Sequence, residues 1–276
     1  MSPPQRRNVF PLVLTPGAFI IAPTPLPAPP MRLRVARLPQ ARTWPSQGVA
    51  AVIDVLRATT VITRAIDAGA ATVAVCGEID EALELAAAAQ PRPLLCGERF
   101  CQPIEGFDLG NSPAEYHRER VAGKNLLMTT TNGTRAVLAA AGFDAILAAS
   151  FNNLAAVVRY LAGQPEVSLI CAGTDGEPTE EDLLLAGAIV HMLAVDGAAT
   201  DLAPLGPSEQ EVLALWRDHL ASARSLAERL RTTLGAQNLL ASGFAADIAA
   251  CAAIDTTDAQ AIIDPRAGLV FRRHNG

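Results

Sequence analysis

Residues 49–76 read VAAVIDVLRATTVITRAIDAGAATVAVC, and this stretch decides the fold class. Val49 to Val55 is a short apolar run, as expected of a buried strand. Thr59 to Ala68 has apolar residues at helical spacing and stops at Gly69. Ala71 to Cys76 is again a strand. Strand, helix and strand with links this short imply parallel strands with a helix crossing between them.

The same alternation extends in both directions. Arg32 to Leu38 reads as a strand upstream. Downstream come a helix from Ile79 to Ala89, strands from Pro93 to Cys96 and Asn125 to Thr130, and a helix from Gly133 to Ala141. A strand from Ala145 to Ala149, a helix from Asn153 to Leu161, a strand from Val167 to Cys171 and a helix from Glu180 to Ala194 follow. The sequence therefore predicts an α/β fold with a mostly parallel sheet and helices on both faces. From about residue 205 the pattern changes. Pro207 to Cys251 reads as a C-terminal helical region, and Ala261 to Asp264 and Leu269 to Arg272 as late strands. The α/β domain is expected over residues 31–276. Residues 1–30 are rich in proline and are expected to form a disordered extension. Val9 to Ile21 follows Arg6 and Arg7 like a weak secretory signal, but Pro11, Pro16 and Gly17 interrupt it.

Composition narrows the classes. Half of the 276 residues are hydrophobic but only 4% are aromatic, so a large core must be built from Ala, Val, Leu and Ile. A net charge of -6 without a basic run argues against nucleic acid and against an anionic membrane surface. Five cysteines, an odd number with no CxxC pair, suggest reduced thiols and a cytoplasmic protein. No uninterrupted apolar run is long enough to span a bilayer. A homo-oligomer is left open.

Polar residues gather where strands end, which is where open α/β sheets place their ligands. Asp54 and Arg57 follow one strand, Glu98 and Arg99 another, with Asp108 and Asn111 in the loop beyond. Thr131, Asn132, Gly133 and Thr134 lead from a strand into a helix. Glu181 and Asp182 open a helix after Gly173. Each feature has a bland explanation beside the chemical one. Asp54 could cap the next helix or pair with Arg57, or it could hold a metal or attack phosphorus. Residues 131–134 could be an ordinary N-cap or an anion cradle. Thr179 to Asp182 could be a capping box or a carboxylate set for Mg²⁺.

Exclusions sharpen the choice. There is no GxxxxGK[ST] loop, no GxGxxG turn, no HExxH and no pair of histidines at ligand spacing. What remains is carboxylates, arginines, amides and hydroxyls. That set suits Mg²⁺-assisted hydrolysis of a phosphate ester.

Several segments resemble one family. They are Ile53 to Thr60 (IDVLRATT), Gly97-Glu98-Arg99, Glu105 to Pro113 (EGFDLGNSP), Thr130 to Thr134 (TTNGT), Cys171-Ala172-Gly173 and Glu181-Asp182. In this order they look like the signatures of the 2-phosphosulfolactate phosphatases. The likeness continues more weakly through Asn238, Asp247, Cys251 and Asp255. Phe100-Cys101-Gln102 departs from the glycine-rich loop expected after Gly97-Glu98-Arg99. The resemblance implies a phosphoric monoester hydrolase that uses Mg²⁺ to convert 2-phospho-3-sulfolactate into 3-sulfolactate and phosphate, a step of coenzyme M biosynthesis in some organisms. Asp54, Arg57, Glu98 and Asp108 are then the catalytic candidates. Arg99, Asn111, Thr131, Asn132, Gly133 and Thr134 would bind a small phosphorylated acid, and Asp54, Glu181 and Asp182 would hold the metal. A phosphatase for another 2-phospho-hydroxy acid and a non-catalytic anion-binding protein are the alternatives.

Overall fold

The chain alternates strand and helix as its hydrophobic periodicity predicts. The computed structural model describes residues 29–39 and 47–274, so residues 1–28 of the expected proline-rich extension lie outside the described residues. The first part comprises β1 (Arg32–Ala36), β2 (Val49–Ile53), α1 (Ala58–Asp67), β3 (Thr72–Val75), α2 (Ile79–Ala88), β4 (Leu94–Arg99) and β5 (Gln102–Pro103). Next come α3 (Arg118–Val121), β6 (Asn125–Thr129), α4 (Gly133–Ala139), β7 (Ala145–Ala149), α5 (Leu154–Leu161), β8 (Glu166–Cys171) and α6 (Glu180–Ala194). The stretch read as purely helical contains α7 (Pro207–Ala221), α8 (Leu226–Leu230), α9 (Leu234–Ala241) and α10 (Ala245–Cys251). β9 (Ala261–Ile263) and β10 (Val270–Arg273) follow. The strand β5 and the helix α3 are the elements that periodicity missed, because two and four residues are too few to show a period.

The sheet is mixed and mostly parallel, in the order β1-β8-β2-β7-β9-β10-β3-β6-β4-β5. β1, β8, β2 and β7 form one parallel group. β3, β6 and β4 form a second. The late strands β9 and β10 join the two groups through antiparallel pairings.

Side-chain alternation along β2 explains the layers. Ala51 and Ile53 face a core shared with α5, α6 and α7, through residues such as Val157, Leu185 and Trp216. Ala50 and Val52 face the opposite core, made with α1 and α4 through Val61, Ile62 and Val137. Successive residues of a strand point to opposite faces, so a strand covered on both sides must be apolar throughout. Val73, Leu126 and Met128 of the second parallel group enter the same core as Ala50 and Val52. Burial of one such side chain contributes about 1.5–3 kcal/mol. Both strand groups are therefore anchored on α1 and α4, and the carboxyl ends of β2, β4 and β6 meet there.

Gly97 sits one residue before Glu98, paired with Thr129 across β4 and β6. Its φ is +138°, and a Cβ there would lie 1.9 Å from the Thr129 carbonyl oxygen. Gly97→Ala is expected to cost roughly 2–4 kcal/mol through backbone strain and a clash with main chain that cannot move aside. Urea unfolding of the variant against the wild type measures this.

Candidate active site

β2 ends at Ile53, and the next residue, Asp54, is buried at 7% exposure. Its Oδ1 accepts the amide of Ala58, the first residue of α1, at 3.2 Å. Its own amide donates to Thr59 Oγ1 at 3.0 Å, and the Thr59 hydroxyl reaches the Ala149 carbonyl at 2.6 Å. The capping role considered for Asp54 is thus present, but it occupies only one carboxylate oxygen. The other, Oδ2, faces Gly133. A Cβ at residue 133 would lie 2.6 Å from that oxygen and 2.3 Å from Ala58 Cβ, so α4 can begin here only without a side chain.

Glu98 closes the second strand group. Its two oxygens accept the amides of Thr131 and Cys101, each at 2.8 Å. Asp182 does the same on the other side, accepting Val55 N–H at 2.9 Å and Gly173 N–H at 3.0 Å. It therefore ties the ends of β2 and β8 instead of closing a capping box with Thr179. Thr134 likewise turns inward, exchanging hydrogen bonds with Thr130. Glu181 is 2% exposed, and its Oε2 has no hydrogen-bond partner.

These strand ends surround a cleft of about 270 Å³. Asp54, Arg57, Glu98, Asn111, Thr131 and Asn132 line it. Gly133 lies beneath the cleft, against Asp54, and Glu181 and Asp182 are buried behind it. Arg99 and Asp108 stand apart. The Arg99 guanidinium donates to the Glu98 and Gly77 carbonyls and to Thr129 Oγ1, bracing β4 against β6. Asp108 Oδ2 accepts Leu95 N–H and Arg92 Nη1, both at 2.8 Å. Phe100 and Asn238 line the cleft although sequence reasoning assigned them no role. Asn238 comes from α9, far along the chain, where only the weaker part of the family likeness marks it. Phe100 is 83% exposed with a positive φ of 52°, and its only sequence signal is the departure from a glycine-rich loop.

Electrostatics set this site apart. Asp54, Glu98 and Asp175 line the cleft against one guanidinium, that of Arg57, and Arg57 is already paired with Asp247 rather than Asp54. Burial pushes the Asp54 carboxyl up to about 7, and the charges of Glu98 and Glu181 add to the effect. The Ala58 amide opposes it. Burial also raises Glu181, and it raises Asp182 well above the usual carboxylate range, with Asp54 and Glu181 contributing to the latter. The neighbourhood holds more buried carboxyl groups than its cations can neutralise, so protons stay on them to higher pH. Among the described residues, however, no group of three or more His, Cys, Asp or Glu side chains is arranged to hold a metal ion.

Fold and cleft together define an α/β protein with a small, acid-rich polar cavity at the carboxyl ends of its strands. No described helix is long and apolar enough to cross a membrane, and the five cysteines are free. Residues 34–264 match the family described as 2-phosphosulpholactate phosphatase, and the chain belongs to that family. A probable 2-phosphosulfolactate phosphatase of Thermotoga maritima is 50% identical over 144 residues, which cover 52% of this chain and 62% of that protein. The match thus spans less than two thirds of that relative. Proteins of the same description match over more of their length. The one from Synechococcus sp. is 41% identical over 75% of this chain and 85% of its own. The one from Gloeobacter violaceus is 37% identical over 83% and 94%.

The raised Asp54 carboxyl has a consequence for stability. Between about pH 4 and 7 the folded chain keeps a proton that the unfolded chain has lost, so stability falls as pH rises through that window. Asp54→Asn removes the penalty. In metal-free buffer at pH 8 the variant is expected to be more stable than the wild type by up to ~4 kcal/mol, with the gap closing below about pH 4. Thermal melts across pH read the difference, and an Asn variant less stable at pH 8 would contradict the assignment.

Proposed function

We propose that the cleft hydrolyses the phosphate ester of 2-phospho-3-sulfolactate, giving 3-sulfolactate and inorganic phosphate. The observation that carries this reading is the Asp54 site: a buried carboxylate at a strand end, lining a cavity sized for a three-carbon acid, in a chain of this family. The names of the relatives supply the sulfonate.

Charge favours a cation in this reaction. The substrate is a multiple anion, and the cleft presents three carboxylates and one paired arginine. An oxygen-only donor set with an unpartnered Glu181 Oε2 fits Mg²⁺, which commonly takes one or two protein carboxylates and completes its shell with water and phosphate. Asp54 and Glu181 would hold it. Asp182, with each oxygen already engaged by a backbone amide, would support them. Bound there, Mg²⁺ supplies Lewis-acid neutralisation of phosphoryl charge. Asp54 must give up the proton it keeps near pH 7 before it serves as a ligand or nucleophile. Arg57 offers directed N–H donors, and Asn111, Thr131 and Asn132 offer neutral ones, to the anionic groups. Glu98 keeps the Thr131 amide in place from behind.

Phosphate release from 2-phospho-3-sulfolactate, with Mg²⁺ and with EDTA, is the direct test. Release is expected only with Mg²⁺, and Asp54→Asn is expected to lower kcat/KM by at least ~100-fold. Full turnover in EDTA would remove the metal from the reading. Equal kcat/KM for 2-phospholactate would make the substrate a general 2-phospho-hydroxy acid. Ligand-induced thermal stabilisation without phosphate release would identify an anion-binding protein instead. Metal binding has a readout of its own. Calorimetry is expected to show Mg²⁺ binding more tightly as pH rises through about 7, with proton release, because Asp54 deprotonates on binding. Asp54→Asn should weaken the pH dependence near 7 that Asp54 contributes.

A further inference from the structure

Arg57 is 3% exposed, yet it lines the cleft. A buried guanidinium needs partners, and those of Arg57 come from distant parts of the chain. Its Nη1 donates to Asp247 Oδ2 at 2.6 Å, across 190 residues of sequence. Its Nη2 donates to the Cys101 carbonyl at 3.2 Å. The Phe244 ring covers one face, with its centroid 4.5 Å from the guanidinium carbon. Asp247 is itself held, because its second oxygen accepts the Ser112 hydroxyl at 2.7 Å. Asp247 lies on α10, and Ser112 belongs to the GFDLGNSP segment that borders the cleft at Asn111.

We propose that Asp247, seated by Ser112, is the positioning residue that aims the Arg57 guanidinium at an anionic group of the substrate. The inference rests on the hydrolase reading above. A guanidinium is a planar fork whose hydrogen bonds depend on orientation, so one of its edges must be fixed for the rest to be directed. Asp247 and Cys101 fix that edge, and Phe244 fixes the plane. Ser112 removes the remaining freedom of the Asp247 carboxylate. Asp247 does not line the cleft, so its effect on catalysis passes through Arg57.

The test compares the full chain with Asp247→Asn, Ser112→Ala, Arg57→Lys and the Arg57→Lys/Asp247→Asn double variant, after melts establish that each folds. Asp247→Asn is expected to lower kcat by about 30-fold or more, the usual scale for losing one partner of a buried charge pair, while KM changes less than about threefold. Ser112→Ala is expected to lower kcat in the same way but by about three- to tenfold. Arg57→Lys keeps the charge and loses the fork. In that background Asp247→Asn should lower kcat by no more than about twofold, because both changes remove one function. A variant Asp247→Asn that melts lower but keeps wild-type kcat would make the pair a structural pin and overturn the proposal. Effects that multiply in the double variant would also overturn it. A turnover-free arm separates this inference from the reaction itself. The Arg57 Nε–H NMR signal, assigned by its loss in Arg57→Lys, is expected to shift when orthophosphate is added to the wild type. It should respond at least about tenfold more weakly in Asp247→Asn. If that contrast holds and no phosphoester is cleaved, the hydrolase reading fails and the positioning role stands. A wild-type signal that ignores both orthophosphate and sulfolactate would end the proposal.

Discussion

A buried strand that ends inside a protein leaves backbone N–H groups that water cannot reach, and those groups need acceptors. This chain meets the demand repeatedly with carboxylates. Asp182 takes the amides of Val55 and Gly173, Glu98 takes those of Cys101 and Thr131, and Asp54 takes that of Ala58. Each bond is local, but together they place three acids within one small volume. They also fix where each loop leaves the sheet, and so set the shape of the cleft.

Concentrated carboxylates have an electrostatic consequence. Burial of Asp54 and Asp182 disfavours their charged forms, and neighbouring carboxylates add to it, which is why Asp54 rises to about 7. Hydrogen bonds from amides offset only part of that. A site built in this way is short of positive charge, and its single lining arginine is partly committed to Asp247. The carboxylates that satisfy buried amides are thus also the groups that would favour a cation in the proposed reaction.

Much of the fold was legible because its signals are local. The β2 run of Val49 to Ile53 is wholly apolar because both of its faces are covered. Helix α6 was readable to its ends, Glu180 and Ala194, since acids open it and its apolar content is high. Residues 100–124 were not, because β5 and α3 are shorter than any period. Of the residues that line the cleft, Asp54, Glu98, Asn111, Thr131 and Asn132 stand out in the sequence by their position after strands. The same rule also selected Arg99 and Asp108. Following a strand does not say which way a side chain turns, and these two turn to brace neighbouring backbone.

The sequence alone determined the α/β class, the order of nearly all elements and the end of the sheet where polar chemistry collects, because periodicity and strand-end polarity act over a few residues. Tertiary structure alone decided that Asp54 and Glu98 face the cleft while Asp108 and Asp182 do not line it. It also decided that Arg57 pairs with Asp247, 190 positions away, and not with Asp54 three positions away. The physical reason is reach. A hydrogen bond depends on distance and direction in space, and helix α9 reaches the cleft and helix α10 reaches Arg57 only through packing that no local pattern records.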